Sequence, residues 1–195
     1  EEYKWQAKNQ GDFDKLKTAL ASTGLKATPV KLLIFDSYFD SPNGELSKNK
    51  TALRLRSCSG LYEITLKSKT AIKNGMACRS EDTITLGKIS KTKAFALFKQ
   101  FFRENWPGLG FPKQLFIIKN KRELFLLTSK TLSAELAFDN CNILVKDKNI
   151  KLFEIELEYK DGSREEFNKL AKTLSQISGL EFAKISKVAT AVKYL

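Results

Sequence analysis

The stretch KLFEIELEY at 151–159 puts Glu154, Glu156 and Glu158 on one side of an extended chain. Phe153, Ile155, Leu157 and Tyr159 fall on the other, because successive strand side chains point to opposite faces. Five further segments alternate in the same way. Arg54 and Arg56 oppose Leu53 and Leu55 in 51–57, and Glu63, Thr65 and Lys67 oppose Tyr62, Ile64 and Leu66 in 61–68. Arg79, Glu81, Thr83 and Thr85 oppose Ile84 and Leu86 in 78–87. Glu2, Lys4 and Gln6 oppose Tyr3 and Trp5 at the start, and Glu135, Ala137 and Asp139 oppose Leu136 and Phe138. A wet sheet face mixes its polar residues and keeps like charges from facing each other. Here one strand offers only carboxylates and another only guanidinium groups, which costs Coulomb repulsion unless a ligand or metal neutralises each cluster.

The apolar faces need a cover of their own. Helical spacing is found at 12–23, 91–105, 164–178 and 185–195; the second carries Phe95, Phe98, Phe101 and Phe102, and Ser163 with Glu166 makes a capping box ahead of the third. The last carries Ile185, Val188, Val192 and Leu195. Strands are expected at 1–8, 33–40, 51–57, 61–68, 78–87, 114–127, 132–139 and 151–159, with turn signals at 41–44, 59–60, 74–75 and 161–162 and a solvated hairpin turn in the Lys run 146–151. The expected fold class is therefore α+β: an eight-stranded antiparallel β-barrel with an ionic interior and helices packed outside, in one domain over 1–195.

Composition then removes whole classes of chemistry. The chain has no His, which excludes Ser-His-Asp and Cys-His catalysis and His-ligated metals. Three separated Cys with no C-x-x-C favour a reducing compartment, and a cytoplasmic location is expected. No apolar run reaches the ~18–20 residues of a membrane span. The first residue is Glu1 rather than Met, and residues upstream are expected. The net charge of +12 calls for an anionic partner. Since many basic residues share faces with carboxylates, the surplus is expected in the lumen rather than on the exterior.

Several conspicuous residues have ordinary readings. Asp40, before Ser41-Pro42, suits turn capping. Glu158 suits a solvated charge at the barrel mouth, and Glu63 and Glu135 suit ion-pair partners. Trp5, Trp106 and the Phe cluster at 95–102 suit packing, and Cys58 an inert thiol.

Taken in order, the motifs resemble those of the CYTH superfamily, the triphosphate tunnel metalloenzymes. Glu2-Tyr3-Lys4 is similar to the second half of E-x-E-x-K, whose first Glu falls just before Glu1. Tyr38-Phe39-Asp40-Ser41-Pro42 is similar to Y-[YF]-D-T-P, Leu53-Arg54-Leu55-Arg56 to L-R-[IL]-R, and Thr65-Leu66-Lys67 to T-L-K. Arg79-Ser80-Glu81 resembles R-x-E, and 119–122 (KNKR) the basic fifth strand. Phe138-Asp139 resembles L-D, 154–158 (EIELE) E-I-E-x-E, and Ser186-Lys187 the terminal S-K.

The resemblance implies a tunnel that binds a triphosphate group with Mg²⁺ or Mn²⁺. It puts Glu2, Glu154 and Glu156 on a first metal, and Glu81 and Asp139 on a second metal or the attacking water. Lys4, Arg54, Arg56, Lys67, Arg79, Arg122 and Lys187 meet phosphate oxygens, with Lys67 and Arg79 beside the reacting group. Strict alternation bars Lys119 and Arg122 from one face without a bulge, and Arg122 is the one expected inside. The implied activity is hydrolysis of a terminal phosphate from inorganic or organic triphosphate, thiamine triphosphate among them. A class IV adenylate cyclase and a non-catalytic polyphosphate- or nucleotide-binding module are the alternatives. The expected partner is a small triphosphate, with no membrane and no nucleic acid as main partner, because the aromatics lie opposite the Arg and Lys faces. A monomer or homodimer is expected.

Overall fold

The computed structural model describes residues 1–73, 76–183 and 185–195, and the side chains of all of these except 68–80. The 74–75 turn and the side chains of Arg79 and Cys78 therefore lie outside the described residues. In chain order the elements are β1 (Glu2–Ala7), α1 (Gln10–Ala21), β2 (Lys26–Asp40), α2 (Glu45–Lys48), β3 (Ala52–Cys58), β4 (Leu61–Lys73) and β5 (Met76–Lys88). There follow α3 (Lys91–Asn105), β6 (Lys113–Thr128), β7 (Leu132–Val145), β8 (Lys148–Gly162), α4 (Arg164–Ser178) and α5 (Lys187–Val192).

The eight strands are antiparallel, in the order β1-β5-β4-β3-β2-β6-β7-β8. β1 pairs with β8 along Glu2–Ala7, but with β5 only through Glu2↔Ala77 and Tyr3↔Met76. The expected class and strand number hold, and β1 meets β5 only over these two residue pairs.

Register brings the ionic residues together. Asp36 lies opposite Arg56, Tyr38 opposite Arg54, and Arg54 opposite Thr65. Lys67 faces Glu81, Arg122 faces Asp139, Asp139 faces Glu154, and Lys4 faces Glu156. The opposite faces are apolar and covered. α3 lays Phe98 and Phe102 over Leu53, Leu55 and Ile64, while α1 and α4 cover Trp5, Phe138, Ile155 and Leu157. Trp5 is fully buried, and its indole N–H donates to Ser175 Oγ at 2.5 Å. Trp106 packs on Phe101 and Phe102. Both Trp are packing residues, as is the Phe98–Phe102 pair, whereas Phe95 stays partly exposed.

Four expectations need correction. The inner faces are not ionic throughout. Farther along the same strands they carry Phe116, Ile118, Cys141, Ile143, Val145 and Leu152, an apolar cluster against which Val188 and Ala191 of α5 pack. One end is thus filled by core and capped by a helix. That helix turns inward the i, i+3 pair Val188 and Ala191, leaving Ile185, Val192 and Leu195 exposed. β2 begins at Lys26 rather than near 33, in spite of Pro29: its first half pairs only with β6, and pairing to β3 starts at Ile34, so Pro29 sits in an edge stretch, where proline is tolerated. The capping box is half made. Ser163 Oγ accepts from Glu166 N, but the Glu166 carboxylate accepts from Thr131 Oγ1 and Ser163 N donates to the Thr131 carbonyl.

Asp40 behaves as a turn residue: it accepts from the backbone N–H groups of Ser41, Leu46 and Ser47 at 2.7–3.0 Å, which starts α2. Among the described residues, no helix is long and apolar enough to cross a membrane.

Candidate active site

A cavity of about 360 Å³ opens on the ionic faces. Its walls include Glu2, Lys4, Asp36, Tyr38, Arg54, Arg56, Lys67, Glu81, Arg122, Glu156 and Lys187. All the described basic residues expected at the site therefore share one cavity, and Arg79 lies outside the described side chains. Asp139 and Glu154 are fully buried just beyond the wall.

The carboxylates divide differently from the partition that the resemblance implies. Oxygens of Asp139, Glu154 and Glu156 lie within 4.8 Å of one another, and neither Glu2 nor Glu81 belongs to that group. Glu2 lies 3.3 Å from Lys4 Nζ, whereas Glu81 sits on the β4–β5 wall and accepts from Lys67 Nζ at 2.5 Å. Three cations meet the buried group. Arg122 donates a fork to Asp139 (2.6 and 2.6 Å) and a further bond to Glu156 at 2.7 Å. Lys4 pairs with Glu156 and lies 3.8 Å from Glu154. Lys187 Nζ reaches Asp139 at 2.6 Å, Glu154 at 2.5 Å and Glu156 at 2.9 Å.

These contacts set the protonation states. Burial alone would raise all three acids. For Asp139 the Lys187 and Arg122 charges outweigh burial and hold it below the usual carboxylate range. Glu156 is held well below its ordinary value by Lys187, Lys4 and Arg122, which outweigh its burial. In Glu154 burial wins, and its pKa is pushed up to about 7, aided by the neighbouring Glu156 charge and a hydrogen bond with that group. Lys4, Arg122 and Lys187 are all raised, since the surrounding carboxylates outweigh their burial. The donor set is three clustered oxygen ligands with no nitrogen or sulfur, which fits a hard divalent cation.

The opposite wall carries the guanidinium groups of Arg54 and Arg56. Arg54 donates to the buried Thr65 Oγ1 at 2.9 Å, yet its Nε is buried with no hydrogen-bond partner. Desolvating a guanidinium N–H without a partner is costly unless a ligand supplies one. Arg56 is oriented by a two-bond fork to Asp36 (2.7 and 2.8 Å), whose acid is held low by Arg56 and Arg54 against burial. Asp36 was missed in the sequence, and Tyr38, stacked on Phe116 at 4.7 Å between ring centres, was quoted only as a motif letter.

On β6 the alternation runs without a bulge through 117–128: Asn120 and Arg122 turn inward, Lys119 and Lys121 outward. Glu135 pairs with Lys160 at 3.0 Å, and exposed Glu158 pairs with the same Lys at the mouth. The charge surplus is not in the lumen. Six basic and six acidic side chains line the cavity, with two more acids beneath. Among the described residues the excess therefore lies outside.

Fold and site together define an α+β protein in which a carboxylate cluster adjoins one cavity lined by basic side chains. The CYTH domain family model matches residues 2–192, and the chain belongs to that family. An inorganic triphosphatase of Haemophilus influenzae is 25% identical over 156 residues, covering 80% of this chain and 44% of that protein. The chain thus spans less than half the length of this curated relative. Among solved structures, a Pyrococcus horikoshii OT3 protein superposes with a TM-score of 0.67 at 22% identity, over 98% of this chain and 97% of that one. The Hippeastrum protein HpAC1, described as an adenylyl cyclase candidate with a dominant triphosphatase activity, gives 0.70 at 18% identity, over 98% and 94%. At such identities these likenesses concern the fold.

Proposed function

We propose that the chain is a divalent-metal-dependent triphosphatase, releasing the terminal phosphate of inorganic triphosphate, or of an organic triphosphate, inside a tunnel formed by the eight strands. The observation that carries this reading is a single cavity lined by six basic side chains with three carboxylates clustered at one wall. Its volume of about 360 Å³ lies near the lower end of the roughly 300–1,000 Å³ of small-molecule sites, which favours a compact polyanion. The triphosphatase relative supports the same reading.

Asp139, Glu154 and Glu156 would hold Mg²⁺ or Mn²⁺, with Glu2 close by through Lys4. Such an ion supplies charge neutralisation and orientation of the phosphates. Arg54 and Arg56 grip phosphate oxygens from the β3 wall, their forks suited to two-point contact, while Lys4, Arg122 and Lys67 add charge around the chain of phosphates. Water attacks the terminal phosphorus in line, the bridging P–O bond breaks, and orthophosphate leaves diphosphate behind. Glu81 is the better carboxylate to orient that water: it lines the cavity, whereas both oxygens of fully buried Asp139 are engaged by Arg122 and Lys187. Arg79 keeps its proposed place beside the reacting group. Cys58 and Cys141 are free thiols, which supports a reducing, cytoplasmic setting.

A panel of triphosphate, ATP and thiamine triphosphate, each with Mg²⁺ or Mn²⁺, tests the reading. Orthophosphate release fastest from inorganic triphosphate is expected. Cyclic AMP without orthophosphate would make the chain a class IV adenylate cyclase, and tight, salt-sensitive binding without turnover would make it a binding module. Arg54→Ala should raise KM by roughly ten- to a hundredfold, the worth of one or two charged hydrogen bonds. An unchanged KM would remove Arg54 from the phosphate site.

A further inference from the structure

The three carboxylates suited to a metal ion already hold a cation of the chain itself. The Lys187 ammonium has three N–H donors, and they meet Asp139, Glu154 and Glu156 at 2.6, 2.5 and 2.9 Å. With Lys4 and Arg122 added, three positive groups face three acids, so the cluster is close to neutral and five of its six carboxylate oxygens meet a cation of the chain. A divalent ion entering such a cluster meets three positive neighbours at close range, and one of them must leave.

We propose that Lys187 is the resident counter-ion of the metal-free site and that a divalent cation displaces it into the cavity. This rests on the reading of Asp139, Glu154 and Glu156 as metal ligands. Lys187 is the cation best placed to move. Arg122 is mid-strand in β6 and forked onto Asp139, and Lys4 is mid-strand in β1 with Glu156 opposite it in β8. Lys187, in contrast, opens the six-residue α5, and Val188 and Ala191 rather than Lys187 anchor that helix to the core. Its flexible four-carbon stem lets the ammonium travel several ångströms without a backbone shift, and the residue already lines the cavity. Displacement exchanges one positive charge for two at the carboxylates and frees an ammonium toward the anion-binding wall. Metal loading thereby prepares the cavity for a polyanion.

Calorimetric titration with MnCl₂ alone, without any phosphate compound, tests this, together with thermal unfolding with and without Mn²⁺. Lys187→Met keeps the length of the stem and removes the charge. It should bind Mn²⁺ at least about tenfold more tightly than the parent chain, unfold at a lower temperature when metal-free, and gain more in Tm from Mn²⁺. Mn²⁺ binding by the parent with equal or weaker binding by Lys187→Met overturns the displacement. Absence of Mn²⁺ and Mg²⁺ binding in both proteins overturns the metal site itself, and the inference with it. A measurement on the parent chain covers a variant that does not fold. The protected ¹⁵Nζ ammonium signal of Lys187 should be lost as Mg²⁺ saturates the site, and its persistence at saturation refutes the proposal.

Discussion

Glu154→Gln should lower metal-dependent phosphate release from triphosphate by about a thousandfold, since metal polarisation of a phosphoryl group is worth several kcal/mol and a neutral amide is a poor ligand for a hard cation. The same substitution should scarcely change Tm in the absence of metal at pH 7. Burial has already raised Glu154 to a pKa of about 7, so the folded chain carries the neutral acid about half the time there. An amide of the same shape resembles that form and still accepts from Lys187. A large loss of turnover beside a preserved unfolding curve separates chemistry from folding. Glu156→Gln should lose as much activity but also stability, because Glu156 is held ionised by Lys187, Lys4 and Arg122 and its neutralisation leaves them underpaired. Phosphate release within tenfold of the parent in both variants would remove these acids from the metal site.

Strand phasing made the ionic faces legible because a period of two is a strong local signal wherever one face is buried. Glu154, Glu156, Arg54, Arg56 and Lys67 could thus be assigned to a common interior before any pairing was known. Phasing gives no register, however, and register decides which charges touch. Asp36 has the same parity as Tyr38, but its fork to Arg56 depends on the pairing across 41–51, a connection that contains α2. Nothing local says where that pairing begins. The motif resemblance likewise drew attention to Asp40, which only caps a turn, and passed over Asp36 four residues earlier in the same strand.

Residues 119–122 show alternation deciding a crowded run. Three basic side chains fall in four positions, strict alternation bars Lys119 and Arg122 from one face, and Arg122, the one expected inside, turns inward with Ile118 and Asn120. The location of the surplus charge was misjudged. Among the described side chains six basic and six acidic residues line the cavity, so it is nearly balanced, and most of the remaining Lys lie on outward faces. The apolar half of the interior was hidden because the expected strands stopped at 139 and resumed at 151, and only the packing of α5 against Cys141, Ile143, Val145 and Leu152 shows that these positions face inward.

Affinity for Mn²⁺ should fall about tenfold for each pH unit below about 7 and be flat above it, because ligation requires the Glu154 carboxylate. The sign follows from the raised pKa. In the metal-free folded chain Glu154 binds a proton below about 7, whereas unfolded it would release that proton near 4.5. Its contribution to stability is therefore present below the unfolded value and is lost as pH rises through about 7. The metal-bound state needs the opposite form, so each ion bound below pH 7 expels one proton. Asp139 and Glu156 do not steepen the slope: Lys187 and its neighbours hold both below the usual carboxylate range, and both are ionised through the window. Calorimetry in buffers of different ionisation enthalpy should count close to one proton released per Mn²⁺ at pH 6 and close to none at pH 8.5. Glu154→Gln should abolish that proton release along with most of the affinity. An affinity independent of pH between 5.5 and 8.5 in the parent chain would overturn the reading of Glu154 as a ligand that carries a proton near pH 7 in the metal-free chain.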